Sequence, residues 1–274
     1  TRSLCDWSSD VCSSDLFTVK KGVLVATKLG RGPEFEGMTR YTRERVKQSL
    51  AGSIGRLGVE TLDLAQLHCI PIEVLRDGEI FTWLDDMRAA GMIRHWGASV
   101  QTVEEGMLAL RADTCTALQT IFNLFRQAAI DSLFPAAQKA NAGIIVRLPL
   151  ASGLLSGRMS ASTTFTAQDH RSYNRDGQAF YVGETFSGLP FERGVAFADE
   201  IKHWLPAGMS LAHLALRFIL DQPAVSTVIA GVTRPAQLED NVAAAAMEPL
   251  EAPLVARLRD FYLEKVRPEV RGGI

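Results

Sequence analysis

A lysine and a histidine each close an apolar run in this chain: Lys28 follows VLVAT and His68 follows LDLAQL. An ammonium group at the end of a buried strand is costly unless it reaches a polar cavity or a partner. A lysine so placed can form a Schiff base with a carbonyl compound. Plainer readings stand beside that chemistry. Lys28 can snorkel to the surface, and His68 can be a core histidine bonded to a backbone carbonyl. Two such residues, each at a strand end, favour a site. The same check at the other runs gives Ser99, Asn123, Pro149 and Gly231.

The elements that must position these residues alternate. Apolar runs occupy 22–27, 62–67, 93–98, 117–122, 143–148 and 225–230. Helix-period segments lie between them at 42–57, 79–90, 102–111, 130–140, 191–204, 209–220 and 235–245. Nearly unbroken apolar strands imply a parallel sheet covered on both faces, and the alternation makes the fold α/β. A closed (β/α) barrel has eight units, and the pattern supplies six. A doubly wound sheet competes, but it normally carries a glycine-rich turn after its first strand. Gly30-Arg31-Gly32 lacks the third glycine and the helix start. The expectation is a (β/α)8 TIM barrel lacking its first two strand–helix units, a single domain over 17–274. Functional residues of such a barrel sit on the rim where strands end.

Composition narrows the function classes. The chain has 274 residues, 47% hydrophobic and 22% charged, with net charge −2. No basic surplus draws it to nucleic acid or anionic lipid, and no apolar window approaches the roughly 18 residues of a membrane span. Residues 1–16, TRSLCDWSSDVCSSDL, have no period and no signal-peptide core. Cys5 to Leu16 resembles the conceptual translation of a sequencing adapter, so 1–16 is read as a foreign tail; a flexible polar tail is the alternative. Cys69 and Cys115 then remain, too few for a disulfide framework and matching no metal pattern. A reducing cytoplasm is the default. The oligomeric state is not readable.

Taken in order, VLVATKLG, RLGVETLDLAQLH, GMIRHWGAS, ALQTIFN, RLPLASGLLSGR and VIAGVTRPAQLEDN resemble the aldo-keto reductases, in their bacterial branch, over about residues 20–270. The resemblance implies a (β/α) barrel that binds NADP(H) without a Rossmann motif and passes hydride to an aldehyde or ketone. In the family a tyrosine donates the proton, a lysine lowers its pKa, an aspartate holds the lysine and a histidine orients the carbonyl. Lys28 and His68 match that lysine and histidine. Ser99 and Gln119 match residues that bond the nicotinamide amide; Val100 stands where relatives often have asparagine. Arg147 stands where many relatives stack an aromatic ring on the nicotinamide; a guanidinium can stack too, meet substrate, or be salt-bridged. Leu150, Ala151, Ser152 and Gly153 match a loop around the pyrophosphate, and Arg158 a basic position near the phosphates. Gly231, Thr233, Arg234, Gln237, Asp240 and Asn241 match the loop and helix N-terminus that hold the 2′-phosphate and adenosine. Arg234 favours NADP over NAD.

The family's aspartate and tyrosine lie upstream of the lysine strand, where this chain carries the 1–16 tract. No tyrosine occupies the matching position. The expectation is a reductase parent, with this chain lacking its acid and prone to aggregate through unpaired strand edges. Three functions follow: a carbonyl reductase acting on a small-molecule carbonyl substrate; an NADP-binding regulatory or remnant barrel; and a Schiff-base aldolase using Lys28, against which the Gly231–Asn241 loop argues. His95, inside a strand, is expected to be structural, His213, in an apolar helix, to be a core residue, and His170 and His203 to lie on the surface.

Overall fold

The computed structural model describes residues 23–274. The foreign-looking tract at 1–16 and the first residue of the expected strand at 22–27 lie outside the described residues. Six strands follow the expected runs: β1 (Ala26–Leu29), β2 (Leu62–His68), β3 (Ile93–Ser99), β4 (Cys115–Ile121), β5 (Gly143–Arg147) and β6 (Val225–Ile229). They form one sheet in the order β1-β2-β3-β4-β5-β6, with parallel registers. The α-helices are α1 (Arg43–Leu57), α2 (Ile72–Asp77), α3 (Glu79–Ala89), α4 (Val103–Ala109), α5 (Leu133–Lys139), α6 (His170–Tyr173), α7 (Phe191–Lys202), α8 (Leu211–Leu220), α9 (Pro235–Ala243) and α10 (Ala252–Phe261).

Local chemistry sets several boundaries. Thr42 caps α1 by accepting from Arg45 N at 3.3 Å, and Gly58 ends it at φ 63°. That left-handed stop is one glycine adopts without strain. Ser210 caps α8 by accepting from His213 N at 3.1 Å. The first strand lies later than its apolar run. Val23 and Leu24 are exposed, and Val25 N donates to the Asp63 side chain at 2.9 Å. Pairing with β2, not apolar content, fixes where β1 forms.

The described chain makes two compact units, one of residues 23–100, 104–119 and 136–143, the other of 101–103, 120–135 and 144–274. In the first, α1 lies against β1 and α3 against β3. One sheet face buries Leu29, Ala65, Leu67, Trp96, Ala98 and Leu118, and the helices bury Val46, Leu50, Leu84 and Met87. Trp96 stacks on Phe81 at 5.4 Å and donates from Nε1 to Asp85 at 3.0 Å, so its buried N–H is satisfied. The pairing of β3 with β4 shifts register at Trp96/Gly97. In the second unit α8 lies on β6. Phe122 packs on Phe134 at 4.8 Å and Phe218 at 5.9 Å, and Phe186 meets Phe191 at 5.0 Å. The 151–190 segment holds only short turns besides α6.

Candidate active site

Register builds the first half of the site. Lys28 pairs with Gln66, Gln66 with Gly97, and Gly97 with Ala117. Two residues further along, His68 pairs with Ser99 and Ser99 with Gln119. Side chains alternate along a strand, so both rows project from one face, opposite the face that buries Leu67, Ala98 and Leu118. The structure thus brings Lys28, His68, Ser99 and Gln119 together on one face, with Gln66 among them. Ser99 and Gln119 are buried, Lys28 and His68 half-buried.

The rim beyond these rows is tied by backbone. Cys69 N donates to Ser99 O at 2.9 Å, and Val100 N to Gln119 O at 2.8 Å. Cys69 Sγ lies 3.7 Å from Ser99 Oγ. Val100 is buried. Tyr41 is the tyrosine of this unit. Its hydroxyl donates to Gly30 O at 2.6 Å, and burial pushes its pKa up to about 12. That direction is wrong for a general acid working near neutrality.

The second unit carries the remaining matched residues. Arg147 ends β5, and its Nη2 lies 3.5 Å from Glu184 Oε1, both side chains 13% exposed. The same Glu184 oxygen accepts from Gln101 Nε2 at 3.3 Å. Ser152 Oγ donates to Glu184 O at 3.2 Å and accepts from Phe186 N at 3.0 Å. Leu148, Ala151, Ser152 and Gly153 have φ of 56°, 48°, 55° and 100°. Such runs curl the backbone into a concavity that suits anions. In this conformation Ala151 N is bonded to Leu148 O at 3.0 Å and Gly153 N to Leu150 O at 2.9 Å. Arg158 is exposed. Asn123, beyond β4, donates from Nδ2 to Leu148 O at 2.9 Å and Ser187 Oγ at 2.8 Å.

The loop after β6 shows a convergent donor set. Thr233 N, Thr233 Oγ1 and Arg234 N point to one oxygen, Gln237 Oε1, at 2.7, 3.0 and 3.2 Å. They stand at the N-terminus of α9, where backbone N–H groups favour an anion. Three donors on one acceptor are the chemistry a phosphate oxygen needs, so these residues fit the 2′-phosphate of NADP. Gly231, Arg234 and Asn241 are exposed or at the surface. Asp240 Oδ1 lies 3.0 Å from His213 Nε2, so this carboxylate already has a partner and His213 is more than a core residue. His95 is exposed on β3.

Reading the sequence missed Gln66, Gly97 and Glu184. Gln66 had a signal: a polar residue inside a buried strand, two before His68. Nothing in the sequence ties Glu184 to Arg147. Among the described residues no group of three or more His, Cys, Asp or Glu is placed to hold a metal ion, and no helix is long and apolar enough to cross a membrane.

Compared with known proteins, residues 16–262 match the model of the aldo/keto reductase family. The chain is 28% identical over 224 residues to aldo-keto reductase YhdN of Bacillus subtilis, covering 79% of this chain and spanning 63% of that protein's length. It is 28% identical over 260 residues to a probable voltage-gated potassium channel subunit beta of Oryza sativa subsp. japonica, covering 88% of this chain and 74% of the other. The holo form of aldo-keto reductase AKR11C1 from Bacillus halodurans superposes with a TM-score of 0.66 at 22% identity, covering 87% of this chain and 71% of that one. The chain belongs to the aldo/keto reductase family, an oxidoreductase family with an α/β fold.

Proposed function

We propose that the chain is an NAD(P)H-dependent oxidoreductase that reduces aldehydes or ketones, or oxidises the corresponding alcohols, with NADP preferred. The observation that carries this reading is the pair of polar rows on one sheet face, Lys28–Gln66 and His68–Ser99–Gln119. A bound dihydronicotinamide supplies the hydride. His68 donates to the carbonyl oxygen, and Lys28 places positive charge where the oxygen becomes anionic. Ser99 and Gln119 hold the nicotinamide carboxamide. Arg147 lies against its ring or meets substrate. Leu150, Ala151, Ser152 and Gly153 line the pyrophosphate, with Arg158 near the phosphates. Thr233 and Arg234, at a loop begun by Gly231, take the 2′-phosphate, and Gln237, Asp240 and Asn241 face the adenosine. Gln237 Oε1 must give way to the phosphate oxygen. The six strands are consecutive units of the eight-stranded barrel, a reading supported by their sequential parallel order. The cytoplasm fits this cofactor.

None of the four tyrosines lies in a strand. Tyr41 is bonded to Gly30 O, and Tyr181 to Arg126 and Gly273 O. A missing general acid costs about 10²–10⁴-fold, so slow turnover by this chain is part of the proposal. The second reading, an NADP-binding barrel without catalysis, is favoured by the same tyrosine placement and by the likeness to a potassium channel beta subunit. The test is NADPH binding by fluorescence, then aldehyde-dependent NADPH oxidation, with Lys28→Met and Arg234→Glu alongside. The reductase reading expects turnover lost in Lys28→Met and NADPH affinity reduced at least tenfold, relative to NADH, in Arg234→Glu. Binding without turnover selects the second reading. No binding, with a borohydride-trapped adduct on Lys28, revives a Schiff-base enzyme.

A further inference from the structure

Helix α9 carries at its N-terminus the donor set of Thr233 and Arg234, yet none of its nine residues is buried. Its apolar side chains Leu238 and Val242 are 53% and 62% exposed. A helix this short is marginal in water without apolar burial, so polar contacts must hold it in place. They come from α8, which buries Leu211, Leu214, Leu216 and Phe218 and is fixed by them. Along another side of α8, His213, Arg217 and Asp221 stand at i, i+4 and i+8, in one line. His213 Nε2 lies 3.1 Å from Asp240 O and 3.0 Å from Asp240 Oδ1. Arg217 donates from Nη1 to Ala245 O and Met247 O, both at 3.3 Å. Asp221 accepts from Leu250 N at 2.9 Å and holds Arg217 at 2.8 Å. The three side chains thus grip residues 240–250 in sequence order. Only the first rung reaches α9; the other two hold the segment that follows it. A carbonyl and a carboxylate oxygen only accept, so His213 Nε2 carries the proton and donates.

We propose that His213 is a positioning residue for the anion site at the N-terminus of α9. It pins the helix through Asp240, so that Thr233 N, Thr233 Oγ1 and Arg234 N stay convergent on one oxygen of a bound phosphate. The inference rests on the 2′-phosphate reading above and deepens it. Asp240 stands within α9 and Thr233 just before it, so the helix itself carries the constraint from the pin to the donors. The Asp240 side chain stays 54% exposed, which leaves it able to face the adenosine as well. A ligand binds in proportion to the fraction of molecules whose site is already assembled. With the pin in place that fraction is high. Without it, binding must order α9 at the same time, and the ordering is taken from the affinity. His213 touches no part of the ligand and acts only through Asp240 and the helix.

The experiment measures binding of adenosine 2′,5′-bisphosphate to the full chain by titration calorimetry, with Tm read alongside. This probe presents only the adenosine end of the cofactor. His213→Leu removes the pin and should weaken affinity about five- to tenfold, while Tm changes by no more than about 4 °C. His213→Gln keeps an N–H donor of similar reach and should recover most of the affinity. Arg217→Met removes the second rung and leaves Asp221 without its guanidinium. It should lower Tm further, with affinity staying within about twofold. Unchanged affinity in His213→Leu overturns the proposal. So does a failure of His213→Gln to recover affinity, or an equal loss in Arg217→Met, the mark of general loosening. In each of these outcomes the parent chain binds the probe and the 2′-phosphate reading stands. If the parent chain does not bind it, that reading fails and the proposal fails with it.

Discussion

A Gly97→Ala substitution acts on the pairing that aligns the two polar rows. A Cβ at Gly97 would lie 2.2 Å from Ala117 O and 2.9 Å from Ala117 C. Both atoms are backbone, so no rotamer change relieves the contact. Moving from 2.2 Å to the 3.0 Å floor of real Cβ contacts requires a retreat of about 0.8 Å between β3 and β4. The Val100 N to Gln119 O bond, 2.8 Å in the same ladder, would then open to about 3.6 Å and cease to be a hydrogen bond. Overpacking of this kind costs about 1–3 kcal/mol, and the lost bond adds about 1 kcal/mol. For a chain of this size the sum lowers Tm by roughly 5–15 °C. Gly55→Ala in α1 is the matched control, because nothing lies within 4 Å of its added Cβ. Its better helix propensity should raise Tm by about 2–4 °C. Calorimetric melts of both variants decide the matter. A Gly97→Ala Tm within about 2 °C of the parent, with Gly55→Ala rising as expected, refutes the β3–β4 register and the rows built on it.

Other perturbations probe separate parts of the molecule. A double-mutant cycle of Arg147→Met and Glu184→Gln should show coupling of about 1–2 kcal/mol, because the guanidinium and the carboxylate face each other with both side chains mostly buried; additive losses would show that the pair does not interact. Burial pushes the Cys115 thiol up to about 12, so iodoacetamide near pH 8 should leave it unlabelled until the chain unfolds, as read by peptide mapping. Labelling of Cys115 at the rate of a free thiol would contradict its burial. The hydrogen bond from Arg171 holds the Asp169 carboxyl below its ordinary range. A depressed carboxylate stabilises the fold above its unfolded pKa and loses that contribution as pH falls. The Tm gap between the parent and Asp169→Asn should therefore be present near neutrality and close as pH drops below about 4. A gap that widens in acid would reverse the sign assigned to Asp169.

Much of the scaffold was legible in the residues. Apolar runs at 62–67, 93–98, 117–122 and 143–148 each overlap a strand whose apolar side chains are buried or half-buried, as a covered parallel sheet requires, and the run at 225–230 overlaps β6, where, among the described residues, the expected cover on both faces is absent and Ile229 is exposed. Helix periods at 42–57, 79–90, 191–204 and 209–220 match α1, α3, α7 and α8 closely, since caps such as Thr42 and Ser210 are local in sequence. The start of β1 was not legible: Val23 to Val25 are as apolar as a strand, but a strand forms only where a neighbour offers a ladder.

The site divides along the same line. The strand-end check singled out Lys28, His68 and Ser99, and the family resemblance added Gln119; the structure places the four on one sheet face. Sequence alone could not say that Gln66 shares their face, since that depends on register between strands more than thirty residues apart. Nor could it join Glu184 to Arg147 across an aperiodic loop, or place Gln237 Oε1 where Thr233 and Arg234 converge. It identified His213 and Asp240 separately and missed their pairing. Periodicity and capping are written in neighbouring residues, so the sequence determined the elements and the polar strand ends. Hydrogen bonds between distant side chains depend on how those elements pack, and only the tertiary structure decided them.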